Sequence, residues 1–419
     1  MSEKSVFVFA AGGANNAIRG LMTEFGNALS SIGLPVVQIA LEETAEIQYA
    51  IDQIVRGQVR FALTWLGVGQ DFSVLVGEER REANAWDTLR VPLLKIHADH
   101  PAYFSDRHRD VPQTSVNLYM AAEFAHFRRR WMPDTRTLSA VIPPWPMSPL
   151  PHAEIDLAKR RKGTLVFLKN GNSPAQLKAL WREHLTPTVA SLVTSLADDA
   201  LAVGLRPGPL HVGDLAAEAM AAHGIDAESA LPLVPFLTAQ LDDYLRRMKS
   251  EMIANALLDF PVIVQGGAWE HVDFTGRRAR LAPGEDFIAS RRIFTDELGV
   301  IDMSPNMDTE PHERVQRAAG SYSLVLTNAQ SWIERGFPEH RDLTFEFDPD
   351  SIRDRIADVV AHKERYLDLG VSFGERFREL HPMEAFARRV ATVAELAVLA
   401  YAAEKPAIQP FFLWPKQPF

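Results

Sequence analysis

Residues 5–40 read SVFVFAAGGANNAIRGLMTEFGNALSSIGLPVVQIA. The apolar run at 6–11 predicts a buried strand, and Gly12–Gly13–Ala14–Asn15–Asn16 predicts the turn that follows it. From Ala17 to Ile32 the apolar residues recur at helical spacing, and Gly33 supplies a helix stop. The run at 34–40 predicts a second strand, so the chain opens with a strand–helix–strand unit of a parallel sheet.

The same alternation continues to the end of the first 150 residues. A helix is predicted at 46–56, and strands are predicted at 61–66, 91–97, 115–118 and 138–142. Five prolines then fall between positions 143 and 151. Proline disfavours both helix and central strand, so we expect a linker there and a first Rossmann-like domain over 1–150.

The second half repeats the pattern with a long helical insertion. Strands are predicted at 164–168, 260–265, 300–304, 323–327 and 342–347, with mostly helix at 174–259. Asp350 is expected to cap a helix from Ser351 to Leu369 that Gly370 ends. We therefore predict an α/β protein with a second domain over 151–385 and a C-terminal helix and tail, 386–419, that packs back on the first domain.

Composition removes several functional classes. The chain has 419 residues, a net charge of -10 and no cysteine, so disulfides, cysteine metal sites and thiol nucleophiles are excluded. The acidic balance disfavours binding to nucleic-acid phosphates. The apolar runs are too short for a signal peptide or a membrane span, so we expect a cytoplasmic protein with at most peripheral membrane contact.

Two polar clusters in the first half are candidate site residues. Gly12, Gly13, Asn15 and Asn16 open a helix after a strand, where backbone amides can meet an anion, although a plain tight turn explains them equally well. His97, Asp99 and His100 follow a predicted parallel strand, where α/β folds place ligands. They suit a general base, a metal site or a structural turn.

Two further clusters lie in the second half. Lys169, Asn170 and Asn172 follow a strand and suit contact with a diphosphate, while Ser173 and Pro174 fit a helix cap. The loop 302–311 carries Asn306 and leads into a helix that begins at His312, Glu313 and Arg314. A helix start with an arginine suits phosphate, although first-turn glutamates that pair with the arginine are the simpler alternative.

The second half resembles a known family. The segments 261–269, 311–315, 323–328 and 345–381 resemble the C-terminal domain of GT-B glycosyltransferases, particularly the CgeB-like members with a glycosyl transferases group 1 domain. The resemblance implies two facing Rossmann-like domains, a nucleotide-sugar donor held by the second, an acceptor held by the first, and no obligatory metal or other cofactor. The acceptor, whether saccharide, lipid or protein, stays open.

The resemblance also implies roles for particular residues. His312, Glu313 and Arg314 would face the donor, and Gly266, Gly267 and Trp269 would lie near its base. Arg317 and Tyr322 stand where the family usually has an acidic residue and a glycine, so the donor nucleotide stays open. If the transfer inverts the configuration of the sugar, we expect Asp99 or His97 to deprotonate the acceptor. We also expect Arg317 to add to the positive charge around the diphosphate.

The expected activity is transfer of a sugar, and Arg314→Ala is expected to reduce turnover while leaving the fold intact. Two alternatives share the predicted fold. One is a sugar-nucleotide epimerase or hydrolase, and the other is a binding module without catalysis.

Overall fold

The computed structural model of this chain describes residues 4–11, 16–108, 112–132, 137–402 and 412–413. It divides into two compact units. Unit 1 comprises residues 1–144 and 381–417, and unit 2 comprises residues 145–380. The boundaries between the units thus fall after residues 144 and 380. From the proline cluster and the late helix we expected them after residues 150 and 385.

Unit 1 is built on a parallel sheet. Within the described residues its strand order is β2-β1-β3-β6-β7-β8-β15. The chain reverses its direction across the sheet between β1 and β3, which is where such folds open a crevice for ligands. The strands are β1 (Ser5–Ala10), β2 (Val36–Ala40), β3 (Val59–Trp65), β6 (Leu93–His97), β7 (Ser115–Tyr119), β8 (Leu138–Val141) and β15 (Phe412–Leu413). A separate antiparallel hairpin consists of β4 (Ser73–Val76) and β5 (Arg81–Asn84).

The helices of unit 1 cover this sheet. They are α1 (Ala17–Ser31), α2 (Thr44–Val55), α3 (Ala85–Leu89), α4 (Ala122–Trp131) and α15 (Met383–Ala402), with a 3-10 segment at Pro101–His108. Helix α1 buries Met22, Phe25 and Leu29, because these residues share one face. The late helix α15 returns to this face, where the rings of Phe25 and Phe386 lie 5.5 Å apart.

Unit 2 contains a second parallel sheet, with strand order β11-β10-β9-β12-β13-β14 within the described residues. The chain starts at β9, builds outward through β10 and β11, and then resumes on the other side at β12. This is the doubly wound arrangement, with its crevice between β9 and β12. The strands are β9 (Leu165–Leu168), β10 (Ile263–Gln265), β11 (Arg280–Ala282), β12 (Gly299–Ile301), β13 (Leu324–Asn328) and β14 (Thr344–Phe345).

The predicted helical insertion lies between β9 and β10. It consists of α6 (Pro174–His184), α7 (Pro187–Gly204), α8 (Val212–Ala222) and α9 (Leu233–Leu257). Ser173 caps α6, since its side chain accepts a hydrogen bond from the Gln176 backbone, and Pro174 follows as predicted. The other helices are α5 (Leu157–Lys162), α10 (Arg291–Asp296), α11 (Glu313–Gly320), α12 (Ser331–Gly336), α13 (Pro349–Ala361) and α14 (Lys363–Leu380), with 3-10 segments at His152–Glu154 and Pro338–Leu343.

The structure corrects two expectations near the end of unit 2. The strand expected at 342–347 is reduced to Thr344–Phe345, because the 3-10 segment that starts at Pro338 occupies the residues before it. The single helix expected at 351–369 is two helices that meet at His362, and Asp348 rather than Asp350 accepts the capping bond. Gly370 lies inside α14, so it does not end a helix.

Gly370 has a packing role instead. A Cβ at this position would lie 2.8 Å from the backbone of Leu324 in β13, closer than real side chains approach. The α/β prediction is confirmed by the two parallel sheets. None of the helices in the described part of the chain combines the length and the apolar character needed to cross a membrane.

Candidate functional site

The carboxyl ends of β9 and β12 lie side by side at the crevice of the unit 2 sheet. The two strands pair directly, with Phe167 opposite Ile301. Lys169 follows β9, and Asp302 follows β12. Ligands in doubly wound folds bind at this position, so the two loops that start here are the first place to look for a site.

The loop after β9 is held against the loop after β10. The Lys169 backbone N–H donates to Gln265 O at 2.9 Å, and the Gly267 N–H donates to the Asn170 side chain at 3.0 Å. The indole N–H of Trp269 donates to Lys169 O at 2.9 Å. The Trp269 ring is only 1% exposed, and this hydrogen bond fixes the lysine backbone. The expected place of Trp269 near the base of the donor stays a prediction.

Gly266 allows the two loops to approach this closely. Its φ is 153°, and a Cβ there would lie 2.2 Å from Lys169 O. Gly171 is restricted in the same way, since a Cβ at this position would lie 2.2 Å from Ala268 O. Only glycine fits at such contacts. The neighbouring Asn172 is exposed and has a positive φ of 53°.

A buried ion network follows β12. Arg314 Nε donates to Asp302 Oδ1 at 2.7 Å, and its Nη2 donates to Met303 O at 3.3 Å. His312 Nδ1 lies 3.2 Å from the same Asp302 oxygen and 2.8 Å from Glu313 Oε2. The Asp302 side chain is fully buried, and Thr327 donates to its other oxygen at 3.2 Å. The start of α11 is therefore fixed to the end of β12.

The charges in this network depend on one another. Burial acts to raise the pKa of Asp302, but the charges of Arg314 and His312 lower it well below its ordinary value. Burial and Arg314 oppose protonation of His312, yet the carboxylates of Glu313 and Asp302 raise its pKa. Burial acts to raise the pKa of Glu313, whereas His312 and Arg314 lower it to about 2. At neutral pH both carboxylates are ionised.

Two further cations, Lys169 and Arg246, lie close enough to this network to interact with Arg314 electrostatically. Burial, together with the charges of Arg246 and Arg314, lowers the pKa of Lys169 to about 7, although Asp302 and Glu313 oppose the shift. Arg246 also acts on Arg314. Its side chain is 25% exposed, and its Nη1 lies 3.7 Å from Asp242. Like charges raise one another's energy, so this grouping favours a bound anion.

Arg246 is the member of this cluster that sequence reasoning missed. It lies on α9, in the helical insertion, more than 60 positions before Arg314. The i,i+4 spacing of Asp242 and Arg246 was visible, but such pairs are common on exposed helices. No local sequence pattern indicates that a basic residue on such a helix will lie at the edge of a distant sheet.

Arg317 lies between two aromatic rings. Its guanidinium lies 4.1 Å from the Phe287 ring and 4.4 Å from the Phe294 ring, and its Nη2 donates to Phe287 O at 2.9 Å. The side chain is buried among these groups, and its charge helps to lower the pKa of Glu313. Its expected contribution to the positive charge around a diphosphate stays a prediction. Asn306 is also buried, and it bridges Lys249 and Asp242 through its side-chain amide.

The three candidate bases in unit 1, His97, Asp99 and His100, have different surroundings. His97 is 0% exposed, its Nε2 lies 2.8 Å from Asn117 Oδ1, and its ring stacks on His108 at 3.9 Å. Burial and the Lys95 charge lower the pKa of His97 to about 3. His100 is 5% exposed, and its Nδ1 accepts the Ala102 N–H at 3.2 Å. Both rings are thus enclosed in this structure, and their expected role as bases stays a prediction.

Asp99 is half-buried and lies two residues after the end of β6. It is therefore the most exposed of the three. Asn16 precedes α1 in a left-handed conformation with φ 52°. Gly12, Gly13 and Asn15 lie outside the described residues, so their expected anion contact stays a prediction.

Comparison with known proteins shows what the fold is similar to. No protein-family model matches this sequence, and no curated protein matches it either. Among solved structures, a DNA-modifying beta-glucosyltransferase, determined with and without its substrate uridine diphosphoglucose, has a TM-score of 0.51 at 7% identity, covering 94% of this chain and 99% of its own. Sucrose-phosphate synthase from Thermosynechococcus elongatus has a TM-score of 0.50 at 10% identity, covering 95% and 100%.

These similarities, at such low identity, concern the fold. They agree with the two doubly wound parallel sheets described above. The chain has the GT-B fold of two Rossmann-like units.

Proposed function

We propose that this protein is a glycosyltransferase that moves a sugar from a nucleoside-diphosphate donor to an acceptor. The observation that carries the proposal is the convergence of Lys169, Arg246 and Arg314 at the ligand-binding edge of a doubly wound sheet. The GT-B fold and the CgeB-like resemblance of residues 260–381 support the same activity, because the neighbours of that fold include a beta-glucosyltransferase and a sucrose-phosphate synthase.

The chemistry requires stabilisation of the departing diphosphate. As the bond between the sugar and the diphosphate breaks, negative charge grows on the phosphate oxygens, and fixed cations lower the energy of that transition state. Arg314 is held in place by Asp302, and Lys169 by the contacts of its backbone with Gln265 and Trp269. With such cations available, we infer that the reaction needs neither a metal ion nor another cofactor.

We assign the acceptor to unit 1. Of the three candidate bases, Asp99 has the exposure that a general base needs. His97 and His100 are enclosed by their neighbours. The net charge of -10 disfavours a nucleic-acid acceptor, so we propose a saccharide, lipid or protein.

Calorimetry and turnover test the proposal together. UDP and UDP-glucose are the first probes, and GDP, dTDP and their sugars follow. We expect one nucleoside diphosphate to bind with a dissociation constant below about 1 mM, equivalent to about 4 kcal/mol. Release of that diphosphate from its sugar should continue in excess EDTA.

Arg246→Gln is the informative variant, because Arg246 lies outside the buried network that holds α11. It should weaken binding of the diphosphate, whereas the matched control Arg182→Gln on α6, whose residue is exposed, should not. Failure of every nucleotide to bind would refute the proposal. Activity that EDTA abolishes and manganese restores would refute metal independence. Conversion of the donor without any acceptor would favour the epimerase or hydrolase.

A further inference from the structure

A second polar pocket lies beside the cationic cluster in unit 2. It is narrow, with a volume of about 20 Å³, which is room for one or two hydroxyl groups but not for a whole sugar ring. It opens where β12, β13 and β14 end. The loop between α7 and α8 forms its other wall. We call it the Lys249 pocket, and the residues that matter here are Lys249, Ser304, Asn306, Asp308, Phe345 and Phe347.

Lys249 places a buried ammonium at this pocket. The residue is 4% exposed, its Nζ donates to Asn306 Oδ1 at 2.7 Å, and it lies 4.6 Å from the Phe347 ring. Among the described residues, the side chain of Asn306 provides the one oxygen that accepts a hydrogen bond from this ammonium. An ammonium carries three N–H donors, so two remain for a ligand. Burial lowers the pKa of Lys249 to about 8, and the Asp242 charge opposes this shift.

Ser304 gives an independent indication of a ligand. The residue is 1% exposed, and its hydroxyl makes no hydrogen bond within the described part of the chain. Its backbone is fixed, because the N–H donates to Asn328 Oδ1 at 2.9 Å. A buried hydroxyl without a partner is costly, and this one borders the pocket.

The mixture of groups indicates the class of ligand. Lys249 offers hydrogen-bond donors, and the carboxylate of Asp308 offers acceptors. The Ser304 hydroxyl can donate and accept, and Phe345 adds an apolar face. A carboxylate ligand would face Asp308, so an anion is disfavoured. Neighbouring hydroxyls on a sugar ring both donate and accept, and their ring also has an apolar side. They match this set of groups.

We propose that the Lys249 pocket binds vicinal hydroxyls of the donor, either those of its ribose or those of the transferred sugar. This inference rests on the proposed function. The pocket adjoins the cationic cluster in two ways: Arg246 and Lys249 lie one turn apart on α9, and Arg314 holds Met303, the residue before Ser304. One nucleotide-sugar can therefore reach both.

Titration calorimetry with UDP, 2′-deoxy-UDP and UDP-glucose tests this on Lys249→Met, Ser304→Ala and the wild type. We expect each variant to lose about tenfold or more in affinity for at least one probe, the usual effect of deleting a hydrogen bond to a charged or buried group. Loss for UDP but not for 2′-deoxy-UDP identifies the ribose. Loss for UDP-glucose with UDP unchanged identifies the transferred sugar.

Lys178→Met is the matched control, because Lys178 lies in the same insertion but pairs with Asp198. It should bind all three probes like the wild type. Ser304→Ala keeps the test decisive if Lys249→Met does not fold, as circular dichroism would show. Folded variants that bind both UDP and UDP-glucose within twofold of the wild type overturn this inference alone. A wild type that binds neither probe overturns a uridine donor and this inference with it.

Discussion

Arg314→Ala should destabilise unit 2 as well as weaken donor binding, which corrects the expectation that the fold stays intact. The substitution leaves the fully buried Asp302 carboxylate without its partner at 2.7 Å. Breaking a buried ion pair in this way costs about 3–5 kcal/mol. His312 remains 3.2 Å from the same oxygen, so we expect the lower end, about 3 kcal/mol.

The melting temperature should reveal this cost. A unit of this size loses about 2–4 °C per kcal/mol, so we expect a decrease of about 6–12 °C by differential scanning calorimetry. Arg353→Ala is the control, because Arg353 pairs with Asp350 on the surface of α13. Surface pairs contribute about 0–1 kcal/mol, so its melting temperature should change by no more than about 4 °C.

The pH dependence has a definite sign. The pKa of Asp302 in the folded protein lies below its ordinary value of 3.8, so the stability it contributes is present above that value and is lost as the pH falls. The difference between wild type and Arg314→Ala should therefore be largest near neutral pH and shrink below about pH 4. Adding Asp302→Asn should restore part of the lost stability.

Two results would refute this reasoning. One is an Arg314→Ala variant that melts within about 2 °C of the wild type at pH 7, less than about 1 kcal/mol for a unit of this size. The other is a double variant whose loss equals the sum of the two single losses, since independent sites add.

Three further predictions follow from other parts of the structure. Because burial and neighbouring arginines lower the pKa of Lys169 to about 7, UDP should bind more weakly as pH rises from 6 to 9; calorimetry in buffers of different ionisation heat should show proton uptake that Lys169→Arg removes. Burial lowers the pKa of both His97 and His108, so unit 1 should lose about 1.4 kcal/mol per pH unit per histidine below pH 6.5. Urea unfolding should show this loss, and a flat profile between pH 7 and 5 would contradict it. Gly370→Ala should cost about 1–3 kcal/mol because its Cβ would meet the Leu324 backbone at 2.8 Å, whereas Gly336→Ala, with 3.6 Å of clearance to Leu380, should leave thermal stability nearly unchanged.

Much of the fold could be predicted from local sequence. The strand–helix–strand opening, the cap at Ser173 and the main strands of both sheets depend on residues close together in the chain. Periodicity and capping report such local preferences directly. The carboxyl ends of strands could also be identified as the place for a ligand, since that rule depends on topology alone.

The helix break at His362 shows the limit of such patterns. The apolar spacing across 351–369 continues through the break, and Gly370 resembles a stop signal. In the structure His362 leaves the helical conformation and its Nδ1 lies 2.7 Å from Asp358, while Gly370 packs on β13. A glycine needed for close packing and a glycine that ends a helix are identical in sequence.

The amino-acid sequence alone determined two α/β halves, their helical insertion and the loops that carry Lys169, Asp302 and Arg314, because each is a matter of neighbouring residues. Only the tertiary structure decided which side chains meet. In the structure, Arg246 and Lys249 on α9 lie at the edge of the sheet. His97 packs against His108, and Arg317 packs against Phe287. Those choices depend on how distant elements pack, and burial then sets the charge of each group.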